Sequence, residues 1–260
     1  MPEFLTGTFG LYVALGIFAQ LIDGALGMAY GLIVTSTLLA AGWPPAIASA
    51  SVHAAEVVTT GLAGASHVWH KNVDWKLFVR LAPAGIIGGA IGAYVLVGLP
   101  EGWVKVFVSV YLFALTVIIA RRILTEPKKK KHRRPGKEVQ VIPIGAAGGF
   151  LDAIGGGGWG PIVTSTLIVR GDHPRQSIGS ATLSEFLVTI VVSATFIATL
   201  DFSRYWQIAL GLIIGGAMAA PFAGWLSRII PVRWLMIMVA IIIAVLSAAN
   251  ITMLFLSNGD

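Results

Sequence analysis

The chain repeats itself. At a fixed offset of 129 residues, Ile33-Val-Thr-Ser-Thr-Leu38 recurs as Ile162-Val-Thr-Ser-Thr-Leu167. Gly16, Asp23, Gly27, Gly31, Pro45, Ser51, Glu56 and Thr60 have identical partners in Gly145, Asp152, Gly156, Gly160, Pro174, Ser180, Glu185 and Thr189. After a small deletion Gly88 matches Gly215, and Pro100 and Trp103 match Pro231 and Trp234. A self-match on this scale, in units of roughly 110 residues, means that one supersecondary plan is used twice and that any central site is assembled from both copies. Residues 1–124 are read as the first repeat, 125–138 as a linker and 139–260 as the second repeat.

Each unit begins with an apolar run that cannot be a single helix. Residues 4–41 are almost continuously apolar, and as one helix they would span about 57 Å against a hydrocarbon core of about 30 Å. The break belongs at Asp23-Gly-Ala-Leu-Gly27, where an acid and poor helix formers coincide. Its counterpart is Asp152-Ala-Ile-Gly-Gly-Gly-Gly-Trp-Gly-Pro161. With 56% hydrophobic and only 12% charged residues the chain is not a soluble globule, and none of its apolar stretches alternates with period two. The fold class expected is an all-α polytopic membrane protein: two homologous repeats of four to five helical segments each, with broken or re-entrant first helices, and eight to ten crossings in total.

The basic residues orient it. Nine of the 18 Lys and Arg residues lie between Arg121 and Lys137, a topology signal rather than a nucleic-acid surface, so no nucleic-acid partner is expected. With that linker cytoplasmic and five crossings per half, 16 basic residues fall inside and 2 outside, against 13 and 5 with four crossings. An odd number makes the repeats inverted. The N-terminus has no basic region ahead of its apolar run and does not read as a cleaved signal peptide. There is no cysteine and hence no disulfide or thiolate metal site. Trp69 and Trp75 flank a polar loop as interfacial anchors, and Gly88-x-x-x-Gly92 reads as a helix-packing stripe.

Two helix breaks at matched depth would expose backbone N–H groups and helix N-termini where no water competes, which suits a small anion. No Lys or Arg lies mid-span, so the anion's charge would be met by N–H groups and hydroxyls. The candidate substrate-binding residues are Gly27, Thr35, Ser36, Gly155, Gly156, Gly157, Gly158, Trp159, Thr164 and Ser165; Trp159 either lines the path or fills space. Asp23, Glu56, Asp152 and Glu185 form two matched pairs inside apolar spans, where an ionised carboxylate costs at least ~2.5 kcal/mol on insertion scales. With His53, one helical turn before Glu56, they are the candidates for carrying a coupling proton. The alternative is that the acids cap half-helices or hydrogen-bond across the bundle, and that His53 makes a structural hydrogen bond. No metal site and no cofactor are expected. Gly155-Gly-Gly-Gly-Trp-Gly160 matches G-x-G-x-x-G only in letters, without a βαβ context. No catalytic residues are expected, because the chain has no H-E-x-x-H, no G-x-S-x-G and no cysteine nucleophile.

The duplicated glycine-rich block, the Pro-containing turn at His173-Pro174 and the following Ser177-Ile-Gly-Ser-Ala-Thr182 resemble the TauE/SafE family of sulfite and organosulfonate transporters. The first block departs from the pattern, reading Gly27-Met-Ala-Tyr-Gly31 with Leu32 where the second has Pro161. The resemblance implies a multi-pass carrier in the cytoplasmic (inner) membrane for a small sulfur-containing anion such as sulfite or sulfoacetate, an exporter coupled to the proton gradient. The residues also admit a passive anion channel or a sodium-coupled carrier. The expected partners are the anion and the bilayer, as a monomer or homodimer.

Overall fold

The two apolar runs that are too long for one helix are both interrupted. In the computed structural model, which describes residues 7–124, 141–170, 174–229 and 231–257, α1 (Gly7–Leu26) stops at Gly27 and α2 (Tyr30–Ala40) starts three residues later. In the second half α6 (Val141–Gly155) stops at three glycines, and the chain resumes as a π-helical turn (Gly160–Thr164) running into α7 (Ser165–Arg170). Gly27 has φ +69° and Gly156 φ +62°, with Gly157 and Gly158 at φ +152° and +155°. Side chains rarely adopt these conformations, so glycine marks the breaks. The remaining helices are α3 (Pro45–Trp69), α4 (Trp75–Gly98), α5 (Glu101–Leu124), α8 (Pro174–Thr199), α9 (Trp206–Ile229) and α10 (Val232–Ser257). No strand occurs among the described residues. The basic linker, 125–138, lies outside them.

The interrupted segments are hairpins. Gly145 near the start of α6 faces Leu81 near the start of α4, and Gly88 and Gly92 face Ala146 and Phe150, so α6 runs parallel to α4. Past the break the chain doubles back, with Val163 packed on Gly148, and continues into α8. The start of α8 again lies beside the start of α4: Gly179 faces Asn72, and the Asp74 N–H donates to Ser180 Oγ at 2.8 Å. This segment therefore enters and leaves at one end of the bundle. The first hairpin does the same at the other end. There α1 lies parallel to α9 through Tyr12 on Gly211 and Gly16 on Leu212, while the start of α3 shares a cavity wall with Leu200 and Arg204, just ahead of α9.

Among the described residues six helices are long and apolar enough to cross a membrane: α1, α3, α4, α5, α8 and α10. Helices α3–α5 and α8–α10 have 24 to 26 residues each, whereas α1 turns back through α2. Of the two forms expected for the first helices, broken or re-entrant, the path is the re-entrant one. The glycines of α4 serve packing, as expected: a Cβ at Gly92 would lie 2.6 Å from the Phe150 carbonyl oxygen. Val79, Ile87 and Tyr94 on α4, Val106, Val110 and Phe113 on α5, and Ile241 and Val245 on α10 are exposed, an outer surface suited to lipid, and Trp69 and Trp75 are exposed at their ends.

Candidate functional site

Both breaks use the same device. An acid near the end of the first arm reaches over the gap and caps the helix that follows. Asp23 Oδ1 accepts from the N–H groups of Ala29 (2.7 Å) and Tyr30 (3.1 Å). Asp152 Oδ1 accepts from the Trp159 N–H at 2.9 Å, at the position 129 residues beyond Tyr30. The groups are unsatisfied first-turn N–H donors, and a carboxylate there also meets the positive end of the helix dipole. The expectation that the breaks expose these donors is thus corrected: the chain's own carboxylates hold them.

The two tips touch. A Cβ on Gly31 would fall 2.7 Å from both the Gly156 carbonyl oxygen and Gly157 Cα, and one on Gly160 would fall 2.6 Å from Met28 Cβ. The second tip is then fastened from four directions. Thr35 Oγ1 donates to the Gly156 carbonyl at 2.5 Å, Ser49 Oγ to the Ala153 carbonyl at 2.5 Å and the Tyr111 hydroxyl to the Gly157 carbonyl at 3.1 Å. The Trp159 indole donates to the Ala181 carbonyl at 3.0 Å, and its ring packs on Gly85. His53, fully buried, completes the clamp, with Nδ1 2.8 Å from the Ser49 carbonyl and Nε2 3.3 Å from Asp152 Oδ2. A carbonyl can only accept, so Nδ1 carries a hydrogen and the Nε2–Oδ2 contact shares a single proton.

Between the tips lies a cavity of about 20 Å³, lined by Asp23, Met28, Tyr30, Gly31, Leu32, Glu56, Asp152, Gly157, Gly158, Gly160, Pro161 and Glu185. That is room for about one water molecule. All four intramembrane acids of the sequence reading border it, together with Gly157 and Gly158. His53, Glu56 and Asp152 each present a ligand atom within 4.8 Å of the others, so a proton or other cation arriving there meets three donors. Glu56 Oε2 is buried and has no hydrogen-bond partner.

The other candidates sit behind this lining. Gly155 packs on Tyr111, Gly156 packs on Thr35 and Ser49, and Gly27 lies beside open space. Thr35 spends its hydroxyl on the second tip, while Thr164 and Ser165 are buried. The hydroxyl of Ser36 is buried without a partner. Trp159 is a wedge between α4 and α8 rather than a cavity wall. Sequence reasoning missed Tyr30, Ser49 and Tyr111. Tyr30 was legible as the residue matching Trp159. Ser49 and Tyr111 act on backbone 104 and 46 residues away, and nothing local marks them.

With this geometry in view, the chain matches over residues 12–250 the family described as "Sulfite exporter TauE/SafE". It is 42% identical over 222 residues, 84% of this chain and 74% of the relative, to the "Probable membrane transporter protein YtnM" of Bacillus subtilis (strain 168). A "Probable membrane transporter protein" of Xylella fastidiosa (strain Temecula1 / ATCC 700964) is 27% identical over 161 residues, 58% of each chain. No solved structure matches the chain.

Proposed function

The chain belongs to the sulfite exporter TauE/SafE family and is a multi-pass membrane transporter, not an enzyme, and we propose that it carries a small sulfur-containing anion, sulfite or a short organosulfonate such as sulfoacetate, outward across the cytoplasmic membrane in company with protons. The observation that carries this reading is the cavity between the two tips, bordered by four carboxyls and no cation. An anion about 4 Å from one ionised carboxylate would be repelled by about 4 kcal/mol at an effective dielectric of 20. The anion and the neutral acids therefore occupy the site together, and release of one favours release of the other. Glu56 and Glu185 are assigned the coupling protons, with His53 sharing a proton with Asp152 as a relay to them.

The repeats are assigned as inverted, with the basic linker cytoplasmic. Two features support this. The matched helices α3 and α8 run antiparallel, Gly61 on Phe186 and Gly64 on Leu183. Each hairpin also packs on the fourth helix of the other half, α1 on α9 and α6 on α4. Alternating access then exchanges the environments of the two tips around one fixed site. The touching tips make this the closed state.

Purified protein in liposomes tests the proposal. Expected is saturable sulfite or sulfoacetate flux that rises when a pH gradient is imposed in the direction of anion movement. An uncoupled, high-conductance anion current would make the protein a channel. Flux that follows a sodium gradient and ignores pH would make it a sodium-coupled carrier.

A further inference from the structure

The two aspartates cap alike but are held differently. Asp152 is buried, as are all residues from 152 to 160, and its second oxygen is engaged by His53. Asp23 is half-buried, Gly24 and Gly27 are exposed, and a Cβ on Gly27 would meet nothing within 4 Å. One tip is anchored, and the other has room to move. We infer that the first turn of α2 is the seat of the transported oxyanion, and that in the closed state the Asp23 carboxylate sits in that seat as a built-in substitute for it. This rests on the carrier reading above and names the atoms that would hold the substrate.

A single Asp23 oxygen accepts two successive N–H groups, Ala29 and Tyr30, which is the contact a sulfite or sulfonate oxygen would make in its place. An independent observation points to the same spot. Glu56 is 5% exposed, its Oε2 has no partner, and its Oε1 lies 3.1 Å from where a Cβ on Gly31 would stand, in that same first turn. As a carboxylic acid Glu56 has an O–H to donate to an anion seated there; as a carboxylate it has none. The titratable groups sharing the cavity with Asp23 are Tyr30, Glu56, Asp152 and Glu185, and no Lys or Arg is among its lining residues. The exchange is a swap of acceptors on two N–H groups, with no change at the anchored tip.

Calorimetric titration of the purified full-length protein with sodium sulfite and with sodium sulfoacetate, at one fixed pH, tests the assignment. Asp23→Asn keeps a capping oxygen but competes as a neutral acceptor, and it is expected to bind the anion about ten-fold more tightly than wild type. Asp152→Asn loosens the anchored tip and is expected to bind more weakly and to melt lower. Should Asp23→Asn not fold, Asp23→Ser, another neutral cap, carries the same expectation. A folded neutral variant at Asp23 with unchanged or weaker affinity overturns the seat while leaving the carrier reading standing. A tighter Asp152→Asn protein does the same. Wild-type protein that binds neither anion while intact takes down both.

Discussion

The breaks at Gly27 and at Gly156–Gly158 carry out one chemistry in two mechanical settings. In each an aspartate bridges a gap in a helix and caps the arm that returns. The first is a three-residue interruption that begins with an exposed glycine; the second is buried and receives hydrogen bonds from α2, α3 and α5. Identical local sequence rules therefore do not make equivalent halves. What surrounds a break decides how firmly it is held.

The sharpest way to break the comparison is to place a side chain at each break. Gly157→Ala puts a methyl into the backbone of Gly31 from a conformation that disfavours it, and should cost roughly 3 kcal/mol or more, abolishing a folded, monodisperse protein. Gly27→Ala has only the conformational cost, about 1 kcal/mol, and should fold and melt within a few degrees of wild type. If the two variants melt alike in detergent, the tips are not mechanically distinct.

Loss of the clamp comes next. His53→Ala leaves Asp152 buried with one oxygen unpartnered and should destabilise by about 3 kcal/mol, as removal of one member of a buried pair does. Asp23→Ala removes only a cap, about 1 kcal/mol. Chemical or thermal unfolding of the two side by side checks the ranking. The most local effect is expected from Tyr111→Phe, which frees the Gly157 carbonyl for about 1 kcal/mol and should loosen the second tip without touching the cavity acids. Hydrogen exchange confined to residues 153–158 would register it, and protection unchanged there would mean that the Tyr111 contact contributes nothing.

Much of this was legible in the sequence because membrane depth makes polar residues conspicuous. Asp23 and Asp152 stand out in apolar runs, the glycines beside them mark the breaks, and the 129-residue offset pairs them. Capping was one of the two roles those residues left open. The sequence left a broken and a re-entrant path both open, because whether an arm continues or returns depends on what it packs against: Gly148 accepts Val163 on its face, and no periodicity encodes that. Nor was the anchoring of the second tip, since Ser49 and Tyr111 lie on other helices and look like any polar residue in a span. The repeat suggested equal tips, and the packing made them unequal.

The central claim is that anion and protons share the cavity between the tips, and proton movement accompanying sulfite flux measures it most directly. Liposomes holding a pH-sensitive dye and a sulfite gradient should show protons moving in the direction of the anion with wild-type protein, and sulfite flux detached from proton movement with the double variant Glu56→Gln, Glu185→Gln. Sulfite flux with no accompanying proton movement in the wild type, or coupling that survives intact in the double variant, would contradict the account.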